Sequence, residues 1–430
     1  LPFALTTAQQ RCLDEIRADM ASARPMNRLL HGDVGSGKTV VAFISMLRAV
    51  ESGSQAALMA PTQILAEQHF QNARKWFEPL GIRVGLKTGS RRDDGSGLEL
   101  WSGERAGDAP AILIGTHALL HDRDLVRNLG LVIIDEQHKF GVAQRARLIE
   151  KGRTPDVLVM TATPIPRTLT LTIYGDLDVS TIDERPKARG KIITKIRPAS
   201  KTKEAAAFLK DQLVEGRQAY LVYPLIDESE KLDVKAATTG CEEWRQLMAP
   251  HSVDLLHGRM SGDEKEDVMR RFRDADVEAL VSTTVIEVGV DVPNATVMYI
   301  HGAERFGLAQ LHQLRGRIGR GSHTSYCVLF VKDKDPEAKA RLAIMEETHD
   351  GFKIAEEDLK RRGPGDILGR AQSGQAPLRF AAFLADTRLV RTARTLAERT
   401  LDEDPRLMAR RFDAVRAFVL EQPGSGATLQ

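Results

Sequence analysis

Gly32-Asp33-Val34-Gly35-Ser36-Gly37-Lys38-Thr39 spaces its glycines, lysine and threonine as G-x-x-x-x-G-K-T. The glycines let the backbone curl until successive N–H groups point at one anion. A helix predicted to open at the end of the run adds favourable partial charge there. Gly32, Gly35 and Gly37 would shape the cradle, Lys38 would meet the β- and γ-phosphates of ATP, and the Thr39 hydroxyl would hold Mg²⁺. A second chemical signal is the apolar run Leu131-Val132-Ile133-Ile134, which ends in Asp135-Glu136. A buried strand delivers such carboxylates to the sheet edge beside a phosphate loop. Asp135 is expected on Mg²⁺ and Glu136 on the attacking water. The third signal is the Arg-rich stretch Gln310 to Gly321, with Gln313 and the glycine-flanked Arg317 and Arg320. An arginine brought to the γ-phosphate neutralises transition-state charge and is worth roughly 10³–10⁵ in rate. Arginines supplied by a different lobe make hydrolysis depend on lobe closure.

Positioning these groups takes two sheets. Short apolar runs at Arg28–His31, Ala56–Met59, Ile112–Ile114, Leu131–Ile134 and Val157–Met160 read as buried strands. Amphipathic stretches lie between several of them, such as Val40, Ile44, Leu47 and Val50. That alternation predicts a parallel sheet covered on both faces. Polar, Gly-rich Arg91–Gly97 reads as a mobile loop. The stretch Asp183 to Gly190, rich in Pro, Arg and Lys, breaks the pattern and marks a boundary. Strands resume at Ala219–Tyr223, Val253–Leu256, Ala279–Ser282, Val297–Ile300 and Cys327–Phe330. Ser261-Gly262-Asp263-Glu264 predicts a capping box opening a helix. From Pro336 the strands stop. Glu337–Glu347 and Phe352–Arg361 predict a helical hairpin joined at Asp350-Gly351 and ended by Gly363-Pro364-Gly365. Two further helical patterns and a tail from Pro423 follow. The expected organisation is a first lobe over 1–185, a second over 186–335 and a C-terminal helical segment over 336–430.

Composition narrows the class. With 430 residues, 42% hydrophobic and 28% charged, the chain suits two or three globular domains. No run approaches the ~18 apolar residues of a membrane span. The start, Leu1-Pro2-Phe3-Ala4-Leu5, lacks the basic and apolar regions of a signal peptide. Leu1 is not Met, so the chain is expected to be a fragment. Cys12, Cys241 and Cys327 make no metal-ligand spacing, and a reduced, cytoplasmic compartment is the expectation. The net charge of +2 excludes a wholesale basic coat. Contacts to nucleic acid must then come from locally placed side chains and backbone N–H groups.

Taken together, these motifs resemble those of superfamily 2 helicases, and more closely the RecG branch of double-strand DNA translocases. Leu5-Thr6-Thr7-Ala8-Gln9 looks like the adenine-reading Q motif. The resemblance implies Gln9 on the base edge and Phe3 as a stacking partner. Ala60 to His69 resembles motif Ia, Gly115-Thr116-His117-Ala118-Leu119 motif Ib, and Asp135-Glu136-Gln137-His138 motif II. Thr161 to Thr168 resembles motif III, Ser282 to Asp291 motif V with Gly289 and Asp291 at the nucleotide, and the Arg-rich stretch motif VI. The fold this implies is α/β, with two RecA-like P-loop lobes followed by a helical hairpin and helical tail. Thr62, Thr116, His117, Arg259 and Thr284 are candidates to hold phosphates of the tracked strand.

Phe352 to Asp366 and the following Gln372-Ser373-Gly374 look like the translocation motif that RecG shares with the transcription-repair coupling factor, where a hairpin and loop act as a lever. Arg341, Arg362 and Gln372 match its key positions. Gln63 and Lys139 depart from the family's usual Glu and Arg, Arg370-Ala371 from its Thr-Arg, and Arg185 to Gly190 from its usual linker. The family's N-terminal wedge domain is expected to be absent. The resemblance implies an ATP- and Mg²⁺-dependent, monomeric DNA helicase that remodels stalled forks and Holliday junctions. Its partners would be duplex and branched DNA and a single-strand-binding protein, with no membrane. The alternatives are a coupling-factor-like translocase acting on stalled RNA polymerase and a non-motor nucleotide-gated binding module.

Overall fold

The computed structural model describes residues 3–89, 91–93, 110–121, 128–136, 155–163, 177–184, 190–224, 230–283, 292–362 and 387–421. The first sheet is built from β1 (Asn27–Gly32), β2 (Gln55–Met59), β3 (Val84–Lys87), β4 (Arg92–Asp93), β5 (Ile112–Gly115), β6 (Leu129–Asp135), β7 (Asp156–Thr161) and β8 (Asp178–Ile182). Their order across the sheet is β4-β3-β5-β2-β6-β7-β1-β8. Every pairing is parallel except β3 with β4. Parallel strands buried on both faces need apolar residues of both parities. Leu58 and Ile133 accordingly face one core, while Ala57, Met59, Val132 and Ile134 face the other. Helices α1 (Thr7–Met20), α2 (Lys38–Glu51) and α3 (Gln63–Phe77) supply Ile16, Val41, Met46, Phe70 and Phe77 to the first of these cores.

The second sheet is built from β9 (Ile192–Pro198), β10 (Gln218–Val222), β11 (Val253–Leu256), β12 (Ala279–Ser282), β13 (Ala295–Ile300) and β14 (Ser325–Val331). It runs β11-β12-β10-β13-β14-β9 and is parallel throughout. With it go α4 (Thr202–Val214), α5 (Glu230–Met248), α6 (Gly262–Arg273), α7 (Leu308–Arg315) and α8 (Pro336–Glu347), and the first turn of α9 (Gly351–Arg362). The capping box opens α6: Glu264 N donates to Ser261 Oγ at 3.3 Å and Ser261 N donates to Glu264 Oε2 at 2.7 Å. Two parallel-sheet α/β lobes are thus present, as the sequence pattern predicts.

The hairpin after Pro336 begins inside the second lobe. Leu342, Met345 and Ile354 belong to the core beneath the second sheet, and Ile196 N donates to Glu346 Oε1 at 2.9 Å. Both sheets, and the residues down to Ile354 that pack on the second, belong to one compact unit, and the helices from Ala355 on belong to another. That other unit contains α10 (Thr387–Glu403) and α11 (Asp413–Glu421). Among the described residues no helix is long and apolar enough to cross a membrane.

One half-buried side chain of the second lobe makes its stability depend on pH. The His301 ring, just past β13, stacks between Tyr223 (centroids 4.6 Å apart) and Phe330 (5.0 Å). Burial among these rings pushes its pKa down to about 4 from the usual 6.5. Between those values the unfolded chain binds more protons than the folded one. The stabilisation is therefore full above pH 6.5 and is lost as pH falls toward 4, on the order of 3 kcal/mol in all. Denaturant unfolding at pH 7 and pH 4.5 should show His301→Phe losing less stability than the parent. Equal losses in the two proteins would contradict this account.

Candidate nucleotide-binding cleft

β1 feeds directly into the phosphate loop, and α2 begins at Lys38. Gly37 caps that helix at φ +90°, a left-handed conformation that side chains resist. A Cβ at Gly37 would also lie 2.3 Å from Gln9 Nε2. Gln9 is buried and closes a capping box at the start of α1: Gln9 Oε1 accepts from Thr6 N at 2.9 Å, and Gln9 N donates to Thr6 Oγ1 at 3.2 Å. Its Nε2 donates to Ser36 O at 2.8 Å. Gln9 is therefore placed against the phosphate loop itself, tying α1 to it. Phe3 is exposed, with its ring 6.1 Å from that of Trp76.

Lys38 is buried and donates from Nζ to Gly32 O at 2.8 Å and Asp33 O at 2.9 Å. Burial lowers its pKa from the usual 10.5, while the carboxylates of Glu136, Asp135 and Asp33 oppose the shift. Asp135 ends β6, one strand removed from β1 across β7. Glu136 follows at φ +54°, where a non-glycine residue is strained by on the order of 1–3 kcal/mol. Its backbone N–H is held by Met160 O at 2.9 Å. Asp135 and Glu136 line the same opening.

The opening is a cleft of about 340 Å³ lined by the phosphate loop, Thr39, Asp135 and Glu136. From the second lobe Gln313, Arg317 and Arg320 line the same cleft. Gln313 lies on α7, and Arg317 and Arg320 follow directly after it. Gln313 Nε2 donates to Thr163 Oγ1 at 2.8 Å, and His312 Nε2 lies 3.2 Å from Asp33 Oδ1. Arg320 Nε donates to Gly316 O at 3.1 Å. Arg315, in the same run, does a different job: it is buried and donates to Met345 O at 2.8 Å and Thr348 O at 3.0 Å, holding α8 in place.

Gly316 sets how closely the two lobes approach. A Cβ there would fall 2.7 Å from Val34 Cβ in the phosphate loop. Gly316→Ala must push α7 off the loop, and a shift near 1 Å in a catalytic group costs about 100-fold. Steady-state ATPase measurements should show a fall in kcat of that order, with nucleotide affinity nearly unchanged. Parental turnover in Gly316→Ala would show that this contact does not set the arginines.

The candidate strand-contact residues sit at the C-terminal ends of parallel strands. Thr62 follows β2 and caps α3, its Oγ1 accepting from Leu65 N at 3.4 Å. Thr116 and His117 follow β5, the neighbour of β2, with Thr116 buried and His117 exposed. Arg259 is exposed after β11. Arg341 donates to Glu304 O at 2.9 Å and Phe306 O at 3.0 Å, which fixes α8 to the second lobe. Thr284, Gly289, Asp291, Gln372 and the Arg362 side chain lie outside the described residues, as do the Gly363-Pro364-Gly365 turn, Gln137-His138 and the greater part of the interlobe linker.

One wall of the cleft is built by α3, partly from the stretch that resembles motif Ia. Leu65, Gln68, His69, Asn72 and Trp76 of α3 line it at helical spacing. Their three- and four-residue period is visible in the sequence, but it is the same signal that marks a core-facing stripe. Trp76 is both: its ring meets Phe43 edge-on at 5.6 Å and also faces the cleft.

A phosphate loop and paired acids on the first parallel sheet thus face, across one cleft, two arginines that follow α7 in the second lobe. The DEAD/DEAH box helicase family profile matches residues 6–172, the helicase conserved C-terminal domain 204–322, and the C-terminal part of domain 3 of the ATP-dependent DNA helicase RecG 348–416. The fold is shared at 15% identity with yeast (S. cerevisiae) Dbp5 bound to RNA and ADP BeF3, at a TM-score of 0.55 over 84% of this chain and 92% of that one. The chain belongs to the RecG family. It is 51% identical to the ATP-dependent DNA helicase RecG of Synechocystis sp. over 95% of this chain and 49% of that relative. It is 50% identical to that of Bacillus subtilis, over 94% of this chain and 59% of the relative. A solved structure of RecG bound to a three-way DNA junction matches with a TM-score of 0.74 and 46% identity, over 91% of this chain and 51% of that one. The chain thus spans about half to three fifths of the length of these relatives.

Proposed function

We propose that this chain is the ATP-hydrolysing motor of a RecG-type helicase, driving movement along duplex DNA to remodel branched DNA such as stalled forks and four-way junctions. The carrying observation is the convergence of Lys38, Asp135, Glu136, Arg317 and Arg320 on one cleft. The three-way junction in the related RecG structure supports branched DNA as the substrate. The functional division proposed is 1–185, 186–335 and 336–430, with α8 anchoring the last segment to the second lobe.

In this reading the phosphates of ATP replace the Gly32 and Asp33 carbonyls at the Lys38 ammonium. The Thr39 hydroxyl and the Asp135 carboxylate line the same cleft and are hard oxygen donors, which suits Mg²⁺. That ion would supply charge neutralisation at the β- and γ-phosphate oxygens. Glu136 orients the attacking water and accepts its proton as the new P–O bond forms and the bond to the β-phosphate oxygen breaks. Arg317 and Arg320 meet the charge spread over the transferred phosphoryl group. Phe3 flanks the base end, Gln9 braces the phosphate loop from α1, and Gly289 and Asp291 complete the nucleotide contacts. Thr62, Thr116, His117, Arg259 and Thr284 contact the tracked strand's phosphates. Arg341, Arg362 and Gln372 couple closure to movement. One chain supplies both halves of the cleft, so the motor needs no second copy.

The test is ATPase activity of this chain with duplex, single-stranded, forked and four-way DNA and with single-stranded RNA. Stimulation by duplex and branched DNA above the other ligands is expected. Preferential stimulation by RNA, or no hydrolysis with any ligand, would overturn the reading.

A further inference from the structure

His69 makes a contact that the proposed mechanism does not use. It lies on α3, its side chain is 7% exposed, and its Nε2 is 2.9 Å from Asp135 Oδ2. Beside a carboxylate oxygen, Nε2 carries the proton and donates. His69 Nδ1 makes no hydrogen bond among the described residues, so the ring's one strong polar tie is to Asp135. The bond occupies Oδ2 and leaves the second carboxylate oxygen to the cleft.

The helix carrying His69 reaches two other places. Its N-cap is Thr62, a candidate strand contact, about two helical turns before His69. In its first turn Ile64 packs against the core of the second lobe. α3 runs unbroken from Gln63 to Phe77, so movement at its start is carried to the imidazole. A carboxylate that ligates a cation depends on such an outer partner for its orientation, and losing the partner typically weakens metal binding or activity 10- to 100-fold.

We propose that His69 is a positioning residue for Asp135, linking the strand-contact end of α3 to the cation-holding carboxylate. The inference rests on the reading that Asp135 holds the divalent ion. It makes strand engagement and metal geometry two ends of one rigid helix, and so gives DNA a physical route to stimulate hydrolysis.

The experiment measures Mn²⁺ binding to the ADP-bound protein by electron paramagnetic resonance, alongside DNA-stimulated ATPase activity at varied Mg²⁺. His69→Phe keeps a ring in the site and removes the donor; His69→Gln restores an N–H donor. His69→Phe should weaken Mn²⁺ binding about tenfold or more. It should raise the Mg²⁺ needed for half-maximal turnover and lower the ratio of DNA-stimulated to basal rate. ADP binding in chelator should be unchanged. His69→Gln should recover most of each effect, which a purely packing role would not allow. His69→Leu provides the same contrast if the Phe variant does not fold. Mn²⁺ affinity within twofold of the parent in His69→Phe, or no recovery in His69→Gln, would overturn the proposal. Unchanged Mn²⁺ affinity in Asp135→Asn would instead sink the underlying metal reading, whatever His69 does.

Discussion

Arg320→Ala is expected to lower kcat for ATP hydrolysis by about 10³–10⁵ while leaving ATP affinity nearly unchanged. The reason is where the charge appears. An arginine that meets the transferring phosphoryl group interacts more strongly with the transition state than with bound ATP, so its loss raises the barrier rather than the dissociation constant. Arg317→Ala should behave similarly, because both guanidiniums line the cleft from the second lobe. Neither residue belongs to the first sheet, whose fold should be untouched. Single-turnover hydrolysis together with a fluorescent-nucleotide titration separates binding from chemistry. Parental rates in both variants would refute the arginine-finger assignment.

A contrast between Lys38→Ala and Glu136→Gln should be equally large. Lys38→Ala removes the cation at the β/γ-phosphates and leaves two buried carbonyls, Gly32 O and Asp33 O, without that donor. Both nucleotide binding and turnover should be lost. Glu136→Gln keeps size and shape at the strained φ +54° position, so ATP should still bind. Without a carboxylate to take the water's proton, turnover should fall by roughly 10²–10⁴. Near-normal turnover in Glu136→Gln would remove its assignment as the water-activating group. Weak ATP binding in that variant would show that Glu136 contributes to the ground state as well.

The local chemistry was readable because its grammar is short-range. A phosphate loop is eight consecutive residues whose backbone makes the site, and a strand ending in two acids announces its own register. Strands buried on both faces were equally plain, since continuous apolar runs such as Leu131–Ile134 leave few alternatives. β3, β4, β8 and β9 were missed, and β4 pairs with β3 inside the stretch expected to be a loop. β9 is an edge strand with polar and buried positions alternating, Thr194 and Ile196 inward and Lys195 and Arg197 outward, so no apolar run marks it. The hairpin after Pro336 was read as a separate segment because its helices are locally complete. Whether a helix stands alone or packs depends on what it meets, and here Leu342, Met345 and the Arg315 bonds draw α8 into the second lobe's core.

The sequence by itself determined the two-lobe α/β fold, the phosphate loop, the acid pair and the arginine run, because each rests on residue type and spacing along one element. Only the tertiary structure decided the relations between elements far apart in the chain. It separated buried, structural Arg315 from cleft-lining Arg317 and Arg320. It brought Gly316 against Val34, set Gln9 on the phosphate loop, and joined His69 to Asp135 across the first sheet. Such contacts depend on strand order and helix rotation, which are set by the burial of whole faces, and no spacing within one segment encodes them.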